Sequence, residues 1–227
     1  MKRGALLLAL LAALALAAPV VAGGAQAPDT EITAGPADVS RLARPTFEFR
    51  SPDDPAATFE CALEGEDFRD CKSPWTVPTP LSQGTYTLRV RAVGETPDQR
   101  DPTPATRTFS IDRNISGANA KASAVQRARR NLALVVRVTA AERVTVSAAG
   151  KLRIGKGRTF RVASAEAVIE PGTTRRLLVR PQKRKAGRKA RKALKKGKPV
   201  EARLAATFAD EVGNRATTGD IEVRLRR

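Results

Sequence analysis

Apolar and polar residues alternate along much of this chain, and the alternation predicts strands. Apolar side chains occupy every second position of 59–64 and 86–92, namely Phe59, Cys61, Leu63, Tyr86, Leu88, Val90 and Ala92. The positions between them carry polar or charged residues, apart from Ala62. A period of two places one set on a buried sheet face and the other in water. Similar short segments recur from residue 31 to 111 with Pro and Gly turns between them, which predicts a β-sandwich.

A second group of apolar segments predicts a second β domain. Its strand candidates are 132–138, 143–147, 151–154, 159–162, 175–179, 200–208 and 221–225. Pro171-Gly172 and the stretch 210–214 are turn signals. Residues 113–131 are polar and basic, which favours a linker with a short helix over 122–130. The expected domains are therefore 28–112 and 132–227.

One segment departs from the strand pattern. Residues 183–198 contain ten basic residues and no acidic one. Ala186, Ala190, Ala193 and Leu194 fall at i, i+4, i+7 and i+8, which is one face of a helix. The sequence predicts a short helix that crosses from one sheet to the other and stops at Gly197. Leu194 is expected to anchor this helix by packing against the sheets.

The N-terminus has the pattern of a secretory signal peptide over residues 1–25. Lys2 and Arg3 precede an apolar run, 5–18, and small residues follow at 20–25. Cleavage after Ala22 or Ala25 fits best. The run is shorter than the roughly 20 residues of a spanning helix, so we expect a secreted protein with no transmembrane segment after cleavage. Export also favours a disulfide between Cys61 and Cys71, which are close enough to staple a hairpin.

Charge is divided unevenly between the two halves. Residues 28–112 carry nine basic and fifteen acidic side chains, whereas 113–227 carry thirty basic and eight acidic ones. The chain has no histidine, which excludes Ser-His-Asp and Cys-His triads and the usual zinc ligand. We therefore predict no enzyme activity, no catalytic residue, no cofactor and no metal site.

Residues 28–112 resemble the bacterial immunoglobulin-like repeats of secreted and surface proteins. The resemblance lies in Phe59-Glu60-Cys61, Leu63-Glu64-Gly65, Cys71, Ser73-Pro74, Leu81, Gly84-Thr85-Tyr86-Thr87, Val90-Arg91-Ala92 and 101–105. The repeats' Asp-x-x-Gly-Asn turn is missing after Ala92, although 210–214 carries one. Residues 132–227 show a weaker resemblance to a second exported domain of this kind. The resemblance implies an all-β fold of two immunoglobulin-like β-sandwich domains and no known catalytic activity.

The basic segment is the candidate binding site. We expect the second domain to contact an anionic cell-envelope polymer or surface, or a surface protein. The expected contact residues are Lys183, Arg184, Lys185, Arg188, Lys189, Arg191, Lys192, Lys195 and Lys196. Nucleic acid is disfavoured because the protein is expected to be exported and no aromatic residues interleave with the charges. The alternatives are a solvated helix face on a structural spacer without a ligand and, more distantly, a carboxylate-dependent hydrolase.

Three further groups of residues offer weaker signals. The carboxylates of Glu64, Glu66, Asp67 and Asp70 crowd the hairpin tip, which is convex and so unlike a glycosidase cleft. Asp53, Asp54, Asp98 and Asp101 are oxygen donors of the kind that calcium takes, but turn residues are the favoured interpretation. The glycine-rich basic turn 155–158 lacks the spacing and the helix of a P-loop.

Overall fold

A computed structural model describes residues 26–128, 131–155 and 157–227. The predicted signal peptide lies outside these residues and stays a prediction. The regular elements of the described chain are strands apart from one helix, and its sheets form immunoglobulin-like sandwiches around two separate hydrophobic cores. Within the described residues no helix has the length and apolarity to cross a membrane.

The first core is enclosed by two sheets, with strand orders β1-β3-β6 and β2-β8-β7-β4-β5. The strands are β1 (Glu31–Ala34), β2 (Val39–Ser40), β3 (Thr46–Arg50), β4 (Thr58–Leu63), β5 (Arg69–Cys71), β6 (Trp75–Thr76), β7 (Gly84–Val93) and β8 (Ala105–Ile111). Leu88 and Val90 of β7 are fully buried against Phe47 and Phe109, which confirms the predicted alternation.

Ala62 is the exception to the alternation. The alternation predicts it on the water face, yet it is 1% exposed. It lies opposite Arg89 of β7, and the guanidinium of Arg89 stacks over the Phe68 ring 5.0 Å away. Long side chains that lie flat on a sheet cover a small neighbour, so the outer face of β4 is shielded as well.

The predicted disulfide is present. Cys61 on β4 and Cys71 on β5 are joined, with their Cα atoms 5.8 Å apart. Both belong to the first core or pack against it. Closing a loop of this size stabilises the fold by about 2–3 kcal/mol in the chain-entropy model.

An ion-paired group covers the outer face beside this hairpin. Glu60 accepts hydrogen bonds from Arg91 at 2.7 Å and from Arg100 at 3.3 Å. Arg91 also lies over the Phe68 ring at 4.0 Å. Burial by itself would raise the pKa of Glu60, but the hydrogen bonds and charges of Arg91 and Arg100 outweigh it and hold that pKa below its ordinary value of 4.5.

We expect Glu60→Gln to lower the free energy of unfolding by about 1 kcal/mol at pH 7, since it removes a charge-assisted bond. A carboxylate with a depressed folded-state pKa contributes its full stability above its unfolded pKa and loses it as pH falls through the folded value. The difference between wild type and variant should therefore shrink below pH 4.5. Urea unfolding of wild type and Glu60→Gln at pH 7 and pH 3 measures this difference in the free energy of unfolding.

Glu31→Gln is the matched control for this prediction. Glu31 pairs with Arg50 at 2.8 Å, but both side chains are at least half exposed, and exposed pairs contribute little. A Glu60→Gln effect that is no larger than the Glu31→Gln effect, or that persists unchanged at pH 3, would contradict the prediction.

The second core lies within one long strand path, β10-β18-β16-β12-β13-β15-β11-β9. Its elements are β9 (Asn119–Lys121), β10 (Val125–Arg127), β11 (Leu134–Thr139), β12 (Val144–Ile154), β13 (Arg158–Ala163), β14 (Ala167–Ile169), β15 (Thr174–Pro181), α1 (Arg184–Lys195), β16 (Val200–Ala209), β17 (Arg215–Thr217) and β18 (Ile221–Arg226). The strand β15 pairs with β11 through 174–179 and with β13 only at its end. It thus connects two layers, whose inner residues form one core.

The segment expected to be a helix over 122–130 contains a strand instead. β9 pairs with β11, and β10 pairs in parallel with β18. The Gln126 side chain completes the edge by donating to the Val135 carbonyl and accepting from the Val135 N–H, both at 2.9 Å. Backbone pairing with neighbouring strands outweighs the weak local helix preference. Within the described part of 113–131, β9 and β10 therefore belong to the second set of sheets.

Candidate functional site

The basic helix forms as its spacing predicts. Ala186, Ala190 and Ala193 are buried, and Leu194 packs partly against the second core. The helix ends where Gly197 takes a left-handed conformation with φ of 69°. Its N–H donates to the Leu194 carbonyl and that of Lys198 to the Ala193 carbonyl, which is a Schellman ending. The small buried face leaves the charged side chains on the outer surface.

Those charges oppose the stability of the helix itself. No side chain caps its N-terminus, and no acidic residue lies in its first turn, where the dipole favours negative charge. Instead Arg184 and Lys185 lie there. Like charges at i and i+4, such as Arg188 and Lys192, are destabilising by about 0.2–0.5 kcal/mol per pair. Lys192 and Lys195 lie in the last turn, where the dipole favours cations, so helix folding leaves unexplained the first-turn cations and the like-charge pairs.

The C-terminal half of the helix forms one wall of an open depression of about 650 Å³. The opposite wall is the turn between β12 and β13. The depression is lined by Ile154, Gly155, Gly157, Arg158, Lys189, Lys192, Ala193, Lys196 and Lys198. Five of these residues are cationic and none is acidic. We call this depression the basic groove.

The groove contains three of the nine predicted contact residues: Lys189, Lys192 and Lys196. The Lys189 ammonium lies 5.9 Å from the centre of the Phe160 ring, at the outer limit of a cation–π contact. The other six are on the helix or at its N-terminal boundary but do not line the groove.

Arg158 and Lys198 also line the groove but are not among the predicted contact residues. The turn at 155–158 is basic and glycine-containing, but nothing in the sequence shows that it faces the helix. The two approach because β12 and β16 pair from Ile154↔Val200 onward, which places the end of the helix connection beside the β12–β13 turn. Gly155 has φ of 60°, which favours glycine at this turn.

A larger depression of about 800 Å³ lies on the outer face of β12, β16 and β18. Two of its three carboxylates are paired, Glu201 with Arg153 at 2.5 Å and Glu222 with Arg203 at 3.0 Å, and the third, Asp220, is exposed. The hydrogen bond from Arg153 lowers the pKa of Glu201, whereas a general acid for glycoside hydrolysis needs a raised pKa. This depression does not favour the hydrolase alternative.

The other carboxylates considered in the sequence are either exposed turn residues or acceptors of local hydrogen bonds. Glu64, Glu66, Asp67 and Asp70 are exposed around the hairpin, as expected of solvated turn charges. Asp101 is 2% exposed and accepts the Thr30 hydroxyl at 2.5 Å. Asp53 accepts the Ser51 hydroxyl and the Asp29 N–H, and these bonds lower its pKa.

Comparison with known proteins leaves the family open. No protein-family model matches the sequence, and no curated protein matches it significantly. Among solved structures, a Salmonella alpha-2-macroglobulin is 14% identical with a TM-score of 0.36; the match covers 89% of this chain and 15% of that one.

Two fibronectin-type structures also match. Fibronectin(III)-like modules of Clostridium thermocellum CbhA are 13% identical over 87% of this chain and 94% of theirs, with a TM-score of 0.33. A segment of two fibronectin type III domains from chicken tenascin is 12% identical over 88% of this chain and 98% of that one, with a TM-score of 0.27. At these scores the matches carry no argument about function, and the chain is similar to these proteins only as a β-sheet protein.

Proposed function

We propose that this protein is a non-catalytic interaction module of the cell exterior, and that its basic groove binds an anionic polymer of the envelope. The observation that carries the proposal is the conflict between charge and stability in α1. The helix holds only basic charged residues, including at the end where cations are least favourable. Residues that destabilise the element in which they lie are expected mainly at functional sites.

The shape of the groove also supports this proposal. Lysine is a mobile point charge that accepts many geometries of phosphate or carboxylate. Lys189, Lys192 and Lys196 lie along one wall and face Arg158 and the glycine-containing turn across the groove. An open groove with cations on both walls admits an extended chain of regularly spaced anions. The disulfide and the predicted export favour an envelope polymer over an intracellular polyanion.

The proposal predicts the behaviour of the triple variant Lys189→Gln/Lys192→Gln/Lys196→Gln. We expect it to bind synthetic poly(glycerol phosphate) at least 10-fold more weakly than wild type in 50 mM NaCl, measured by isothermal titration calorimetry. Three phosphate contacts give a salt slope of about −2, so wild-type affinity should fall ~20-fold between 50 and 200 mM NaCl. Glutamine is a good helix former, so the melting temperature should not fall.

A second triple variant tests whether binding responds only to net charge. Lys121, Arg137 and Arg176 are exposed on β9, β11 and β15 and lie side by side across the strands. Their replacement by Gln removes the same charge from the same half of the chain. We expect it to weaken binding by less than 3-fold. Equal losses in the two triple variants, or no binding by wild type, would leave a spacer without a ligand as the better interpretation.

A further inference from the structure

The loop between β8 and β9 contains a short motif that the proposed function does not use. Asn114, Ile115 and Ser116 have the order Asn-x-Ser, with a residue other than proline in the middle. The chain has four asparagines, and only Asn114 is followed two residues later by a hydroxyl side chain. Asn-x-Ser is the motif to which oligosaccharides are attached on surface loops of exported proteins. Such short motifs also occur by chance, so the surroundings of Asn114 decide whether it is accessible for modification.

The structure places this motif on the surface. Asn114 and Ser116 are both exposed and lie outside the strands. The Asn114 Nδ2 donates one hydrogen bond, to Oε1 of the exposed Gln83 at 3.1 Å. Nothing in the described part of the chain bonds the Ser116 hydroxyl. An amide nitrogen carries two hydrogens, so a sugar that replaces one of them leaves the other for the bond to Gln83.

Backbone hydrogen bonds hold both ends of this loop. The Asp112 N–H donates to the Ser40 carbonyl at 2.8 Å, and the Ala141 N–H donates to the Ser116 carbonyl at 2.9 Å. These bonds use main-chain groups only. They therefore fix the loop against both halves of the chain while the Asn114 amide and the Ser116 hydroxyl stay accessible to an enzyme.

We propose that Asn114 is an N-glycosylation site that accepts an oligosaccharide from a polyprenyl diphosphate carrier. The Nδ2 atom forms a bond to C1 of the first sugar while the bond between C1 and the diphosphate oxygen breaks. The polyprenyl diphosphate leaves with that electron pair, and the amide loses one proton. The nitrogen is a weak nucleophile because of its resonance with the carbonyl, so the transfer requires an enzyme. The disulfide and the predicted export support a compartment outside the cytoplasm, where such a transfer takes place.

A glycan on Asn114 leaves the basic groove open. The loop is bonded to Ala141, which lies shortly before β12, whereas the groove is lined by Ile154 at the other end of that strand. β12 has 11 residues, and at about 3.3 Å per residue they span roughly 30 Å. The oligosaccharide therefore covers the connection between the two sandwiches rather than the groove.

Glycan transfer to the whole purified chain in vitro tests this site. The chain is incubated with a purified single-subunit oligosaccharyltransferase, Mn²⁺ and a polyprenyl-diphosphate-linked oligosaccharide, and its intact mass is then measured. We expect the mass to rise by one oligosaccharide, which peptide mapping by tandem mass spectrometry should place on Asn114. Ser116→Ala should abolish the transfer. Because no described residue bonds the Ser116 hydroxyl, this variant should melt as wild type does.

Asn119→Gln is the matched control, because Asn119 is also exposed but is followed two residues later by Lys121. This variant should take up one oligosaccharide, as wild type does. An unchanged mass for the wild-type chain would overturn the proposal. So would an oligosaccharide on Asn119, or a Ser116→Ala variant that is modified as fully as wild type. None of these results bears on the basic groove, whose proposed ligand is an anionic polymer.

Discussion

Gly150→Ala is expected to lower the free energy of unfolding of the C-terminal sandwich by about 3 kcal/mol. Gly150 lies in the interior of β12, paired with Val162 of β13 on one side and Leu204 of β16 on the other. A Cβ at this position meets the backbone carbonyl of Arg203 at a distance that real Cβ atoms do not show, and also lies 2.9 Å from the Leu204 Cα. Relief requires movement of a paired strand in the centre of the sheet rather than of a flexible side chain, and overpacking of this kind costs roughly 1–3 kcal/mol or more.

The positions of the aromatic residues allow the loss of stability to be assigned to one of the two sandwiches. The only Trp and the only Tyr are Trp75 and Tyr86, and both pack against the first core. Urea unfolding followed by far-UV circular dichroism should show the loss of stability, while tryptophan fluorescence should give the wild-type midpoint. Gly219→Ala is the control, because an added Cβ there meets nothing within 4 Å. Similar midpoints for the two variants would contradict the argument.

Gly150 also shows where local sequence rules fail. The run Ala148-Ala149-Gly150 has weak strand preference, so the sequence predicts two strands, 143–147 and 151–154. The structure has one continuous strand, β12, because pairing with β16 extends from Thr145 to Ile154. The small residues are explained by close packing: Ala148 is fully buried and Gly150 faces a neighbouring backbone. From a single sequence, a run of small residues that interrupts a strand cannot be told from one that packs closely against a neighbouring strand.

The part of the candidate site that lies in one continuous segment, the basic helix, was predictable from the sequence. The spacing of Ala186, Ala190 and Ala193 sufficed to predict the helix and its exposed basic face. The groove was not predictable, because Arg158 reaches it through the pairing of β12 with β16. The strands β14 and β17 have three residues each, too few for a period to be recognised.

Asp101→Ala is expected to lower the free energy of unfolding of the first sandwich by about 3 kcal/mol. The buried carboxylate accepts the Thr30 hydroxyl through Oδ2 and both the N–H and the hydroxyl of Thr103 through Oδ1. The Thr30 hydroxyl in turn accepts the Ala92 N–H at 2.7 Å. Alanine leaves the buried Thr30 hydroxyl without an acceptor, at a cost of about 1–3 kcal/mol, and also removes the two bonds from Thr103, which is itself exposed.

Two further substitutions separate this network from the general effect of removing an acid. Asp101→Asn keeps one oxygen for Thr103, so its loss should be roughly half that of Asp101→Ala. Asp98 is exposed in the same turn, and Asp98→Ala should change stability by less than about 0.5 kcal/mol. Trp75 fluorescence in urea reports on this half of the chain because Trp75 packs against its core. If Asp101→Ala and Asp98→Ala unfold at the same urea concentration, the prediction is wrong. The hydrogen bonds that join β1, β7 and the turn before β8 then contribute nothing to the free energy of unfolding.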